Sequence, residues 1–363
     1  MNCRGLTPRA GLDLAPPAAH GILQHMSHHT PARERFSGCL IGQCLGDALG
    51  FPVEGRSSEV CARYVCDRLL DAGGRRAATL DSAIGQYTDD SQLARELMQS
   101  YVEALRFDPA DYAMRIAAIF QEERIVGRGR ATTEAALRLI SGVPWTQAGT
   151  PPPAAGNGSA MRAAPIGLMY CDSAAMIAAA HDQGRITHQD PRCSAGAIAV
   201  AGAVLLGLRG KIDCVGWAAQ LSSWVSGFDP ELADGIRCLS DLVYAPPASA
   251  LAALSRFGLT SDYSNGWEGI SPFVTTSVLW SLYSFFRHPD DYWATICTAI
   301  GVGGDVDTTA AMAGAISGAY LGLDALPLDF AASLTDRGTW GLEELISLAH
   351  QCHAVSHGIA RFG

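Results

Sequence analysis

From Phe36 onward, apolar residues recur at the three-to-four-residue spacing of a helix, and period-two alternation of β-branched and aromatic residues is nearly absent. A sheet would have no patterned face to bury, so the spacing predicts an all-α fold. Two helix starts are written out. Asp108-Pro109 precedes an apolar run to Phe120, and Asp229-Pro230 precedes one to Tyr244. In each, the carboxylate is a cap, and the proline takes the first helical position, where a missing N–H costs nothing. Ser194–Leu208 and Ala310–Leu321 are rich in alanine and glycine, and such small side chains let helix axes approach closely. Gly42, Gly46 and Gly50 stand four residues apart. That spacing lines one helix face for packing and does not fit a dinucleotide fingerprint.

The chain has 363 residues, enough for one large domain or two ordinary ones. Breaks fall at Gly142 to Gly158, at Ala245-Pro246-Pro247 and at Tyr263 to Pro272, and none has the long polar composition of a linker. No repeat of fixed period is found. The expectation is a single compact multi-helix domain over 36–363, preceded by a flexible extension over 1–35 in which Met26 is an alternative start. Hydrophobic residues make up 48% and charged residues 17%, so most of the chain lies inside. The net charge of −10 argues against non-specific nucleic-acid binding, which rests on Lys and Arg neutralising phosphates. The eleven cysteines are scattered from Cys3 to Cys352 without a C-x-x-C pair, which predicts reduced thiols and a cytoplasmic protein. The longest apolar run, Cys193 to Leu208, is too short to span a bilayer and reads as a buried core helix, so no membrane partner is expected.

Two polar clusters interrupt the apolar helices. Thr88-Asp89-Asp90-Ser91 stands before a helix expected over Gln92–Leu105, and Gly303-Gly304-Asp305-Val306-Asp307-Thr308-Thr309 stands before one expected over Ala310–Leu321. Ordinary capping explains one acid at a helix start. Asp305 and Asp307 are two, and with Asp89 and Asp90 they make four carboxylates accompanied by threonine hydroxyls. That is an oxygen-only donor set for a hard divalent cation, and the lack of nearby Cys or His disfavours zinc. A third segment, Gly156-Asn157-Gly158-Ser159-Ala160-Met161-Arg162, lets backbone amides approach a ligand, but it satisfies neither the P-loop nor the G-x-S-x-G pattern. The glycine-rich stretch Gly127 to Thr133 reads as a connector that also caps the next helix. His188 precedes Cys193 by five residues, but nothing local orients a nucleophile. Asp47 and Glu54 flank Phe51-Pro52-Val53, where a carboxylate beside apolar residues suits proton transfer.

Taken together, these motifs resemble the ADP-ribosylglycohydrolase family. The pattern runs through Gly46-Asp47-Ala48-Leu49-Gly50 with Glu54, Tyr87-Thr88-Asp89-Asp90, Gly156 to Arg162, Thr187-His188 and Gly303 to Thr308, between about Phe36 and Pro327. The resemblance implies an all-α domain of the ADP-ribosylglycohydrolase type that holds two Mg²⁺ or Mn²⁺ ions and cleaves ADP-ribose at ribose C1″ from a modified acceptor. The acceptor would be a protein side chain such as arginine or serine, or another ADP-ribosyl conjugate. It further implies metal ligation by Thr88, Asp89, Asp90, Asp305, Asp307 and Thr308, substrate contacts from Gly156, Asn157, Gly158, Ser159, Met161 and His188, and proton handling by Glu54, Asp89 or Asp90. Val306 stands where threonine is common in the family and is expected to face the core. The tail beyond Pro327 lies outside the pattern. Two other readings stay open: a non-catalytic ADP-ribose binder or structural protein related to lens crystallins, and a metal hydrolase of another phosphate-containing substrate.

Overall fold

In the computed structural model, residues 33–71, 73–79, 84–258 and 266–359 are described. They form α1 (Arg33–Gly50), α2 (Ser58–Tyr64), α3 (Asp89–Ala104), α4 (Pro109–Gln121), α5 (Arg130–Ile140), α6 (Trp145–Ala148), α7 (Ala164–Met169), α8 (Ser173–Arg185) and α9 (Pro191–Arg209). The order continues with α10 (Cys214–Val225), α11 (Pro230–Leu242), α12 (Pro247–Leu254), α13 (Val274–Arg287), α14 (Tyr292–Ile300), α15 (Val306–Leu321), α16 (Leu328–Ala331) and α17 (Leu342–Ile359). No strand occurs among the described residues, only isolated bridges. The all-α reading holds. Of the extension expected over 1–35, residues 1–32 lie outside the described residues, and Arg33 already opens α1. The break expected from Tyr263 lies outside the described residues up to residue 265 and is non-helical from Gly266 to Phe273.

The centre of the domain is the antiparallel pair α1 and α15, and glycine decides how close they come. A Cβ added at Gly38 would stand 2.3 Å from the Gly318 carbonyl oxygen, one at Gly42 2.4 Å from that of Gly314, and one at Gly46 2.2 Å from that of Ala310. Real Cβ atoms do not approach that near, so the four-residue glycine spacing is a seam of backbone against backbone. The seam ends where Gly50 meets the Asp307 backbone. It therefore carries the C-terminal end of α1, with Glu54 just beyond, to the N-terminal end of α15.

The helix α9 is buried along most of its length, with Cys193 to Val204 at or near zero exposure, as expected for a core helix. It is also the one described helix long and apolar enough to cross a membrane, and 78% of its apolar window is covered by the rest of the fold. The Asp-Pro starts behave as expected. Asp108 accepts from the Ala110 and Asp111 N–H groups and Asp229 from that of Glu231. Two boundaries fall earlier than expected: α3 begins at Asp89 and α15 at Val306, which puts Asp89, Asp90 and Asp307 inside first helical turns. The tail beyond Pro327 packs into the same unit. The Cys352 thiol donates to the Met98 carbonyl at 3.3 Å, and Asp336 accepts from Arg95 at 2.7 Å and from Gln92 at 2.8 Å.

Candidate metal centre and cleft

A helix start leaves backbone N–H groups unpaired, and at α3 they are shared out: the Asp89 N–H goes to the Val126 carbonyl at 2.7 Å, the Asp90 N–H to the Thr88 hydroxyl at 3.4 Å, and the Ser91 N–H to another helix. Asp47 of α1, fully buried, accepts the Thr88 N–H on both carboxylate oxygens at 3.0 Å and the Ser91 N–H at 3.1 Å. The Thr88 hydroxyl lies 3.0 Å from both Asp47 Oδ1 and Asp90 Oδ2. Gln43, one turn earlier on α1, donates from Nε2 to the Asp90 and Met161 carbonyls at 2.9 Å each. Asp89 and Asp90 are thus held by their backbones, and their carboxylates are not needed as caps.

The start of α15 is built differently. Gly303 and Gly304 take φ of +80° and +88°, a region that favours glycine. Gly304 also bridges to both Arg56 and Ile270, with no room for a Cβ beside the Ile270 carbonyl. Asp305 holds the N-cap position, yet its side chain accepts nothing from its own helix backbone. Instead Asp305 Oδ2 accepts from Asn157 Nδ2 at 2.5 Å, and Oδ1 from the Thr308 hydroxyl at 3.2 Å. That hydroxyl also lies 3.3 Å from Asp90 Oδ2, which links the two clusters. Val306 is fully buried in the core, as expected.

Carboxylate oxygens of Glu54, Asp305 and Asp307 lie within 4.8 Å of one another, as do those of Asp47, Asp90 and Asp307. Burial holds Asp89, Asp90 and Asp307 well above the ordinary carboxylate range, and neighbouring carboxylates push the same way, Asp47 first for the α3 pair and Asp90 first for Asp307. Burial likewise raises Asp305, raises Asp47 to about 7, and raises Glu54 with help from Asp305. Among the described residues no cation pairs with any of these acids. Asp90 Oδ1 is buried with no hydrogen-bond partner. Buried like charges and an orphaned acceptor are costly unless a cation joins them. The donor set of carboxylate and hydroxyl oxygens fits a divalent ion such as Mg²⁺ or Mn²⁺.

These groups form one wall of a cleft of about 660 Å³ lined by Glu54, Asp89, Asp90, Asp305, Asp307 and Thr308. The other walls include Gly156, Asn157, Gly158, Met161 and His188. Two of the residues expected at the site sit behind it. Ser159 is fully buried and donates to the Cys193 carbonyl at 2.9 Å, and Thr88 is 1% exposed beneath Asp90. Asn157 faces the cleft but also bonds Asp305, so the glycine loop and the carboxylates are one construction and not two distant ones. The Cys193 thiol donates to the Gly156 carbonyl at 3.2 Å, and burial raises its pKa, so it is no nucleophile. The stretch Gly127 to Thr132, expected as a connector, lines the cleft too, with Gly127 at φ +68° and an added Cβ only 3.0 Å from Asp89 Oδ1. Arg192 and Trp267 also line it, and Asp47 and Gln43 brace it. Sequence signals for these four were weak: only Asp47 stood in a motif. A second cleft of equal volume, about 660 Å³, lies away from the carboxylates, and its Arg76 is already paired with Asp329 at 2.8 Å.

Comparison with known proteins gives a consistent result. A family model described as ADP-ribosylglycohydrolase matches residues 28–359, beyond the expected limit at Pro327. The chain is 31% identical over 335 residues to ADP-ribosylhydrolase ARH3 of Gallus gallus, covering 83% of this chain and 89% of that one. It is 26% identical over 305 residues to the ADP-ribosyl-[dinitrogen reductase] glycohydrolase of Rhodospirillum rubrum, covering 83% and 90%. A solved structure titled ADP-ribosylglycohydrolase-related protein complex superposes with a TM-score of 0.65 at 26% identity, covering 89% of this chain and 98% of that one.

Proposed function

Because this chain belongs to the ADP-ribosylglycohydrolase family, we propose that it is a hydrolase releasing ADP-ribose from a modified acceptor, by attack of water at ribose C1″, with two divalent cations bound at the carboxylate wall. The observation that carries the reading is the convergence of unpaired acids from two helix starts on one wall of a cleft whose facing wall is a glycine-rich loop. Asp89, Asp90, Asp305, Asp307 and the Thr308 hydroxyl would hold the ions, with Thr88 bracing Asp90 from behind. When bound, the cations neutralise the acids and supply Lewis acidity toward substrate oxygens. Departure of the acceptor leaves positive charge on the ribose ring, and the acidic wall favours that charge. Of the three candidate proton carriers, Glu54 is the exposed one. It exchanges a proton with solvent without breaking the buried cluster, so it is assigned the attacking water's proton. The glycine loop, His188 and Arg192 would take the nucleotide end.

The test offers ADP-ribosylated arginine, ADP-ribosylated serine, O-acetyl-ADP-ribose and ADP-ribosylated nucleic acid to the protein, with chelator and after adding back Mg²⁺ or Mn²⁺. Release of ADP-ribose from at least one, lost with chelator and restored by either ion, is the expected result. Binding of ADP-ribose without any turnover would favour the non-catalytic reading, and neither binding nor turnover would favour a different phosphate-containing substrate.

A further inference from the structure

Among the described residues, Arg162 is the one large cation that the fold buries completely beside the cleft without a carboxylate partner. It is 0% exposed, and its hydrogen-bond acceptors are neutral. Nε donates to Gln183 Oε1 at 3.0 Å, while Nη2 donates to the Gln183 carbonyl at 3.1 Å and to the Thr187 hydroxyl oxygen at 2.8 Å. Its guanidinium carbon lies 5.6 Å from the centre of the Tyr112 ring. Each contact has a consequence further out. Because Gln183 Oε1 faces Arg162, its Nε2 points the other way and donates to the Ser159 carbonyl at 2.8 Å, which ties down the glycine loop.

The second contact sets a proton. A guanidinium can only donate, so the Thr187 oxygen is an acceptor toward Arg162. Thr187 is fully buried, and its remaining hydrogen-bond contact is His188 Nδ1 at 2.8 Å. The oxygen has a second lone pair, but its one proton has no acceptor other than Nδ1 among the described residues, so it points at Nδ1 and makes Nδ1 an acceptor. A neutral imidazole with Nδ1 accepting carries its proton on Nε2. Burial and the nearby Arg162 charge keep the ring neutral, with its pKa lowered to about 3. His188 lines the cleft, and among the described residues nothing hydrogen-bonds its Nε2. That nitrogen sits against Gly158, where an added Cβ would come within 3.3 Å of it.

We propose that Arg162 and Thr187 are positioning residues that lock His188 in the Nε2–H form, so that it presents a fixed hydrogen-bond donor to an anionic oxygen of the bound ligand. The anionic character follows from the company of the donor: the Arg162 charge lies behind it with no carboxylate partner, and Arg128 lines the same cleft with Arg130 and Arg192, which are paired with Glu134 at 3.6 Å and Asp190 at 2.7 Å. A protonated histidine would add a fifth cation to these four arginines, next to Arg162. A neutral ring with a dictated tautomer gives direction without that repulsion. The use of ADP-ribose as probe rests on the function proposed above, whereas the tautomer does not.

The test is ¹⁵N NMR of histidine-labelled protein, reading which ring nitrogen carries the proton, with the His188 signal assigned by its loss in His188→Gln among the ten histidines. The expected result is a protonated Nε2 and an accepting Nδ1 in the wild type. Thr187→Val, which keeps the shape and removes the hydroxyl, should mix the tautomers and weaken ADP-ribose binding about tenfold by calorimetry, while Thr187→Ser should restore both. A proton on Nδ1 in the wild type overturns the proposal, and that reading stands even if Thr187→Val fails to fold. Unchanged tautomer and unchanged affinity in a folded Thr187→Val overturn it as well. Failure of the wild type to bind ADP-ribose, with Nε2 protonated, would count against the proposed substrate and leave the locked donor in place.

Discussion

At the start of α4 the Asp108 carboxylate accepts the N–H groups of Ala110 and Asp111 at 3.0 and 3.2 Å. At the start of α15 the Asp305 carboxylate accepts nothing from its own backbone and is held by Asn157 and Thr308 side chains instead. The two acids occupy the same place relative to their helices. One spends its lone pairs on the amides that a helix start leaves open, and the other is held by side chains within 4.8 Å of the Glu54 and Asp307 carboxylates. At α3 the same release is achieved by loan: Asp47 from α1 takes the Thr88 and Ser91 amides, and Asp89 and Asp90 are spared the work. An acid at a helix start is a structural cap when its own helix uses it, and a candidate ligand when something else does.

The largest break in this comparison should come from alanine at each acid. Asp305→Ala or Asp307→Ala is expected to lower ADP-ribose release more than about a hundredfold, beyond the loss typical of groups that only orient ligands, with the helical circular dichroism retained. Asp108→Ala should cost about 1 kcal/mol of stability and leave turnover near wild type. If the Asp305 and Asp307 variants unfold while metal dependence is unaffected, capping is the better account of that cluster. A second difference is thermodynamic. Mg²⁺ at a hundredfold excess over its dissociation constant should stabilise the wild type and Asp108→Ala by about 2.7 kcal/mol, and Asp305→Ala far less, read from denaturant titrations with ion and with chelator. Equal midpoints in all conditions would remove the ion from the wall.

The facing wall gives smaller effects. The His188 ring stays neutral in the folded protein down to about pH 3, whereas in the unfolded chain it takes a proton near pH 6.5. The unfolded state binds more protons between those values, so the contribution of a neutral His188 is complete above about 6.5 and is lost as the pH falls toward 3. Between about pH 7 and pH 5 the wild type should lose roughly 2 kcal/mol more than His188→Gln, and parallel pH profiles would mean that the ring titrates normally. The smallest expected effect is that of Gly158→Val. Its Cβ would stand 2.8 Å from His188 Cε1 and 3.0 Å from Thr132 Oγ1, so the donor wall must shift. A weakening of ADP-ribose binding by about tenfold is expected, with Mg²⁺ affinity measured alongside, because Asn157 joins this loop to Asp305. An unchanged dissociation constant would place the ligand elsewhere.

Much of the helical framework was legible residue by residue. The Asp-Pro pairs at 108 and 229 announce their helices because a cap and its amides lie within three positions of each other. The glycines of α1 announce close packing because their spacing is the helix period, though not that the partner is α15. The starts of α3 and α15 lie three and four residues earlier than the sequence predicts, since Asp89, Asp90, Asp307 and Thr308 have poor helix propensity and read as loop. In the fold, first-turn positions and capping from Asp47 compensate. The Gly127 to Thr132 stretch reads as a connector for a related reason. What makes it part of the cleft is the backbone of Gly127 against Asp89, a contact 38 positions apart.

Local sequence determined where the helices begin, which faces are apolar and which oxygen donors stand ready at two helix starts, because caps, periodicity and propensity act over a single turn. The tertiary structure decided which of those acids are free. It did so through Asp47 reaching 41 positions to Thr88, Asn157 reaching 148 to Asp305 and Arg162 reaching 25 to Thr187. A side chain's lone pairs and protons are allotted by whatever the fold packs against them, and the hydrogen bonds that allot them join parts of the chain that no local pattern relates.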